Sequence, residues 1–282
     1  MSPPPDVLER LGLAQDGWTP LDGGMNAVWR RGDEVLKRVV EPDEAQAEVR
    51  MLRAVQLPVA VPALLGVAEE HGATWLLTSW LPGERLSQVW DALDGQERTA
   101  VAEVLGHALA TLWATSVEGL AEAPLRLADR PTQVEAAVRR QLGFGLDPAH
   151  RDELRALARA TPLDADLVVT HADLHGDQVL LGRGPRGWQV TGLLDFGDAV
   201  LAPRHYDLVS PFCALLGPDL RLRETLVDAA GLEVDADWAD RMLALTLLHP
   251  WIELPLLLEA GASLRSLAAW LSVRPPRRRG PA

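Results

Sequence analysis

The thirty-residue segment THADLHGDQVLLGRGPRGWQVTGLLDFGDA, positions 170–199, constrains the fold more than any other stretch of the chain. Val179–Leu181 and Trp188–Leu194 are β-type runs, and the GRGPRG between them carries the glycines and proline of a turn, so the pattern predicts a hairpin. A hairpin returns the chain to where it started. Asp173 and Gln178 before the first strand and Asp195 after the second must therefore lie at the same end of the ribbon. One carboxylate orienting a hydroxyl, with separate oxygen donors for a divalent cation, is the layout that phosphoryl transfer needs. The cluster His171, Asp173, His175, Asp177 also has the composition of a Zn²⁺ or Mn²⁺ hydrolase site, which is the rival reading.

Lys37 is the single lysine among 27 basic residues, so the other 27 − 1 = 26 are arginines. It lies in Glu34–Val40, a β-type run, where a compact ammonium on a flexible stem does what a planar guanidinium does not. Upstream, Leu21-Asp22-Gly23-Gly24-Met25-Asn26 places two glycines where backbone amides approach an anion with no Cβ in the way, and Asn26 is placed to pin the loop. The hydrolase reading leaves both features unused.

Around Lys37 the chain reads as short strands: Ala27–Arg30, Glu34–Val40, Ala63–Glu69 and Ala73–Trp80, with turns at Arg31-Gly32-Asp33 and His71-Gly72. One helix interrupts them, capped by Asp43, with Ala45, Val49 and Leu52 at helical spacing, and Pro58 closes the segment. After Leu81-Pro82-Gly83 the pattern turns to helices: Gln96–Thr115, Pro131–Phe144, Pro148–Ala160, and again from about Tyr206. The order divides the 282 residues into a β-rich unit, 1–80, and a mainly helical one, 81–282, with a hinge at 79–83 and a disordered tail at 274–282.

Taken in order, these motifs resemble the aminoglycoside phosphotransferase and choline kinase group of protein-kinase-like enzymes. His171-x-Asp173 looks like the start of that family's catalytic loop, and Asp195-Phe196-Gly197 looks like its metal-binding motif. The resemblance implies an α+β, protein-kinase-like two-lobed fold with a small β-rich N-lobe and a larger helical C-lobe. It implies transfer of the γ-phosphate of ATP or GTP to a small-molecule hydroxyl, with Asp173 as catalytic base and Mg²⁺ held by Asp195 and Gln178. Lys37 would hold the phosphates, partnered by Glu48, with Glu44 one turn earlier as the alternative. Gly23, Gly24 and Asn26 would cover the phosphates, and Ser79 and Leu81 would bind the base edge through their backbone. Trp80 would flank the base or lie in the core. His171 and Asp207 would brace the catalytic loop. Gln178 stands where the family usually has Asn; the amide oxygen survives, and maltokinase-like relatives share the H-x-D-x-H-x-x-Q pattern. A catalytically degenerate kinase fold is the alternative to an active enzyme.

The formal net charge of −13 disfavours a nucleic-acid partner. Neither a signal-peptide pattern nor a run of about 18 apolar residues is present, so a cytoplasmic protein without a membrane partner is expected. Cys213, the one cysteine, lies among apolar neighbours and reads as packing. Only twelve positions separate Asp195 from Asp207, too few for a segment that lays out a peptide. The acceptor region then falls in 203–273. Its acidic residues, Asp219, Glu224, Asp228, Glu233, Asp235, Asp237, Asp240, Glu253 and Glu259, suit a cationic acceptor, and Trp238, Trp251 and Trp270 suit a sugar.

Overall fold

The computed structural model describes residues 2–21, 25–121, 130–162, 166–185, 187–258 and 263–273. Gly23, Gly24, Glu259 and the 274–282 tail lie outside them.

A short helix, α1 (Pro5–Arg10), precedes a five-stranded antiparallel sheet built from β1 (Thr19–Leu21), β2 (Ala27–Arg31), β3 (Glu34–Val39), β4 (Leu64–Glu70) and β5 (Ala73–Ser79). The strand order is β1-β2-β3-β5-β4, and α2 (Pro42–Ala54) lies between β3 and β4 in the chain. Side chains alternate across a strand, so Trp75 and Leu77 of β5 go to one face with Val7 and Leu8 of α1, while Leu76 goes to the other with Val39 and Ala45. The same alternation in β3 buries Leu36 on the α1 side and turns Lys37 towards α2. The β4–β5 turn has His71 and Gly72 both at positive φ, the backbone that a two-residue hairpin of the right twist requires.

The four expected strands end within a residue of their predicted positions. The helix that follows differs at its start. Pro42 takes its first turn, as proline prefers, which moves the cap to Glu41, whose side chain makes no capping bond; Asp43 is not the cap.

After the sheet come β6 (Glu84–Arg85), α3 (Leu86–Val89), α4 (Gly95–Trp113), α5 (Arg130–Gly143), α6 (Arg151–Ala160), β7 (Val168–Thr170), β8 (Val179–Gly184), β9 (Gly187–Leu193) and β10 (Val200–Ala202), which make up the helical lobe. After β10 come α7 (Val209–Pro211), α8 (Leu220–Ala229), α9 (Trp238–Leu248), α10 (Leu254–Leu257) and α11 (Leu264–Trp270). Asp94 starts α4 with a capping box: its carboxylate accepts the Gln96 and Glu97 amides at 2.8 Å, and Glu97 accepts the Asp94 amide at 3.0 Å. The other carboxylate oxygen of Glu97 accepts the Trp188 amide at 2.9 Å, which ties α4 to β9. Arg241 to Leu248 of α9 are all buried, so this helix runs through the lobe's core. The segment expected as one helix from Pro148 begins as a 3₁₀ turn, Pro148–His150, before α6.

Candidate active site

Lys37 Nζ lies 2.8 Å from Glu48 Oε2, 2.7 Å from Asp195 Oδ1 and 3.7 Å from Glu44 Oε1. Of the two glutamates on α2, Glu48 is thus the nearer partner. Burial works to lower the Lys37 pKa, but the charges of Glu48 and Asp195 reverse that and hold it above its ordinary value. Burial pushes the Glu48 carboxyl up to about 7, with Lys37 opposing. Burial would raise Asp195 as well, yet the Lys37 ammonium holds this more open carboxylate below its ordinary value. Asn26 donates to Glu44 Oε1 at 2.6 Å, so the end of the glycine loop is anchored on α2.

Ser79 and Trp80, at the expected hinge, both have partners within the sheet. Ser79 N–H donates to the Ala63 carbonyl at 2.9 Å and its hydroxyl accepts from the Ala63 amide at 2.9 Å. Trp80 carries the Arg30 guanidinium 3.8 Å from its ring centroid.

The predicted hairpin is formed by β8 and β9, with Val179 opposite Leu193. The Leu194 amide donates to the Gln178 main-chain carbonyl at 2.8 Å, so Gln178 pairs with the residue before Asp195 at the ribbon's end. Gln178 Oε1 is buried with no hydrogen-bond partner. Asp173 Oδ2 is 3.4 Å from His175 Nε2. Behind it, Asp207 Oδ1 accepts the Ala172 amide at 2.8 Å and Oδ2 accepts the Trp113 indole at 2.9 Å. His171 is fully buried, bonds the Leu194 carbonyl at 3.0 Å and packs on Phe196 at 4.9 Å. Ala172 and Asp195 both have positive φ, +66° and +61°, so the backbone on each side of the site is in a conformation that residues with a Cβ rarely adopt.

The geometry does not favour the hydrolase reading, because His171 is fully buried, packed on Phe196 and bonded to the Leu194 carbonyl. Among the described residues, the His, Cys, Asp and Glu donors that converge are Glu44, Glu48 and Asp195.

Two residues, Asp198 and His249, were not singled out by the sequence. Asp198 is half-buried, and burial and then the charge of Asp173 push its carboxyl above the ordinary range. The indole of Trp251, 52% exposed, donates to Asp198 Oδ1 at 3.4 Å. His249 is described below. Trp238 is buried and Trp270 packs on the Arg223 guanidinium, so of the three tryptophans Trp251 is the open one. Some of the acidity assigned to the acceptor is structural: Asp219 caps α8, and Asp235 pairs with Arg241 at 2.8 Å.

A five-stranded antiparallel sheet over a helical lobe, with the hairpin end beneath the sheet's lysine, is the protein-kinase-like fold. The chain belongs to the phosphotransferase enzyme family, whose pattern it matches over residues 17–244. An aminoglycoside 3'-phosphotransferase of Streptomyces ribosidificus is 32% identical over 161 residues, 53% of this chain and 57% of that protein. One from Escherichia coli is 29% identical over 216 residues, 74% of this chain and 76% of the other. The match thus spans little more than half the length of the Streptomyces relative. The GDP and kanamycin complex of APH(2")-IIia superposes with a TM-score of 0.70 at 22% identity, over 86% of this chain and 85% of that one, a likeness of fold.

Proposed function

We propose that the chain is a small-molecule kinase that moves the γ-phosphate of ATP or GTP to a hydroxyl of an amino sugar of the aminoglycoside class. The observation that carries this reading is the contact of Lys37 with Asp195 at the end of the ribbon where Gln178, paired through its backbone with Leu194, keeps a buried side-chain oxygen without a partner. Two hard oxygen donors fit a divalent cation. Asp195 and Gln178 would hold Mg²⁺, which when bound neutralises charge on the donor phosphates.

In the proposed reaction Lys37 keeps Glu48 and exchanges Asp195 for phosphate oxygens. Asp173 accepts the proton of the acceptor hydroxyl as its oxygen forms a bond to the γ-phosphorus, and the bond to the bridging oxygen breaks to release the nucleoside diphosphate. His175 Nε2 holds one oxygen of Asp173, leaving the other for the hydroxyl. Ser79 and Leu81 read the base through their backbone, while Gly23, Gly24 and Asn26 cover the phosphates. The lobes divide at residues 80 and 81, with the hinge at 79–83. Asp198 and Trp251 face the acceptor, where a raised carboxyl beside an open indole favours an ammonium next to a sugar ring. The names of the aminoglycoside phosphotransferase relatives point the same way.

Thermal unfolding with Mg-ATP and Mg-GTP tests the donor site, since a ligand raises Tm only if the folded state binds it. Wild type should shift and Asp195→Ala should not; no shift with either nucleotide would sink the reading. Transfer to kanamycin tests the chemistry. Asp173→Ala should lower kcat by about 100-fold or more while nucleotide binding persists.

A further inference from the structure

Ala172 lies between His171 and Asp173 in a left-handed conformation, and both of its backbone polar groups are held by buried side chains from distant parts of the chain. Its N–H donates to Asp207. Its carbonyl accepts from His249 Nε2 at 2.8 Å and, less directly, from Ser210 Oγ at 3.5 Å. His249 follows the last residue of α9, is fully buried, and packs its ring on Tyr206 at 5.1 Å. Its Nδ1 accepts the Trp251 amide at 3.4 Å, which places the imidazole proton on Nε2, the nitrogen that faces Ala172. One ring therefore joins the peptide before Asp173 to the backbone of Trp251, whose indole reaches Asp198.

The peptide bond is planar, so the Ala172 carbonyl and the Asp173 nitrogen move together. A grip on that oxygen fixes where the Asp173 Cα stands. Uncommon backbone conformations persist only where the surroundings over-determine them, and here Asp207 holds one side of Ala172 and His249 the other. We infer that His249 is a positioning residue for phosphoryl transfer: it orients the peptide carrying Asp173 and locks it to Trp251, so that the catalytic carboxylate and the acceptor's contact residues move as one body. The inference rests on the kinase reading for the roles of Asp173 and Trp251.

The test compares His249→Gln, which keeps an N–H for the Ala172 oxygen, with His249→Leu, which fills the space without one. With kanamycin as acceptor at about pH 7, His249→Leu should lower kcat by about 10- to 100-fold, leave the nucleotide KM within about twofold, and be rescued about tenfold in the Gln variant. A Leu variant with kcat within about threefold of wild type, or equal losses in both variants, overturns the inference. If the Leu variant does not fold, histidine ¹⁵N NMR of the wild type decides. His249 must appear as the neutral Nε2–H tautomer, and an Nδ1–H tautomer or an imidazolium removes the proposed grip. A wild type that phosphorylates no acceptor overturns the kinase reading instead, and the NMR result, which needs no turnover, still judges the contact.

Discussion

His249 and His175 flank Asp173 and respond to pH in opposite senses because their surroundings differ. Burial lowers the His249 pKa against the pull of Ala172 and Asp173. With a folded value below the ordinary 6.5, the unfolded chain binds more protons in that window. The His249 contribution to stability is therefore present above 6.5 and lost as pH falls through the folded pKa. The bond to Asp173 raises the His175 pKa, with burial opposing. Its contribution is full below 6.5 and lost as pH rises through the folded pKa. Melting temperature against pH should thus flatten on the acid side in His249→Gln and on the alkaline side in His175→Gln; variants whose slopes both match wild type would refute these assignments. That Gln178 and Asp195 come to one end of a ribbon was legible from the hairpin, and Lys37 stood out as the lone lysine, whereas Asp207 was named only through the family resemblance. His249 was not legible, since its partner lies 77 residues away and its own neighbours read as the end of an apolar helix. Asp198 stood in plain view, but nothing in the order of residues says that Trp251 will come to it.

Among the elements, α4 and α8 pack unusually closely at Gly106. A Cβ there would sit 2.4 Å from the Leu226 carbonyl and 2.7 Å from the Ala229 Cβ, atoms fixed to helix backbone that cannot swing aside. Alanine gains about 1 kcal/mol over glycine in a helix interior. Overpacking a tight contact costs about 1–3 kcal/mol, so the clash should win. Gly106→Ala is expected to lower stability by about 1 kcal/mol in urea unfolding; a more stable variant would show that the helices separate freely. The longer strands and helices were legible from periodicity, whereas α1, β1, β6 and β10 were missed. Those segments are too short to carry a period. β10 exists because Val200–Ala202 pairs with Val168–Thr170, a contact across some thirty residues. Asp43 was misread as a cap because it is a good capping residue, while Pro42 had already claimed the first turn.

At the scale of the whole molecule, the Lys37–Asp195 contact links residues 158 positions apart and joins the sheet to the hairpin. Asp195 is 42% exposed, so water weakens the pair and its worth lies in orientation more than in stability. The two-lobed plan was legible because strands precede helices along the chain, yet sequence order does not say which faces meet. Among the described residues no helix is long and apolar enough to cross a membrane.

Because the sheet holds the chain's single lysine, a lysine-specific protease has one peptide bond to cut. That bond lies within β3, hydrogen-bonded between β2 and β5. Cleavage must wait for the sheet to open, and when closing outpaces cutting its rate tracks the open population. A single cut yielding two fragments would then gauge the opening of the β-rich lobe, and Mg-ATP should slow it if the nucleotide closes the sheet onto the hairpin.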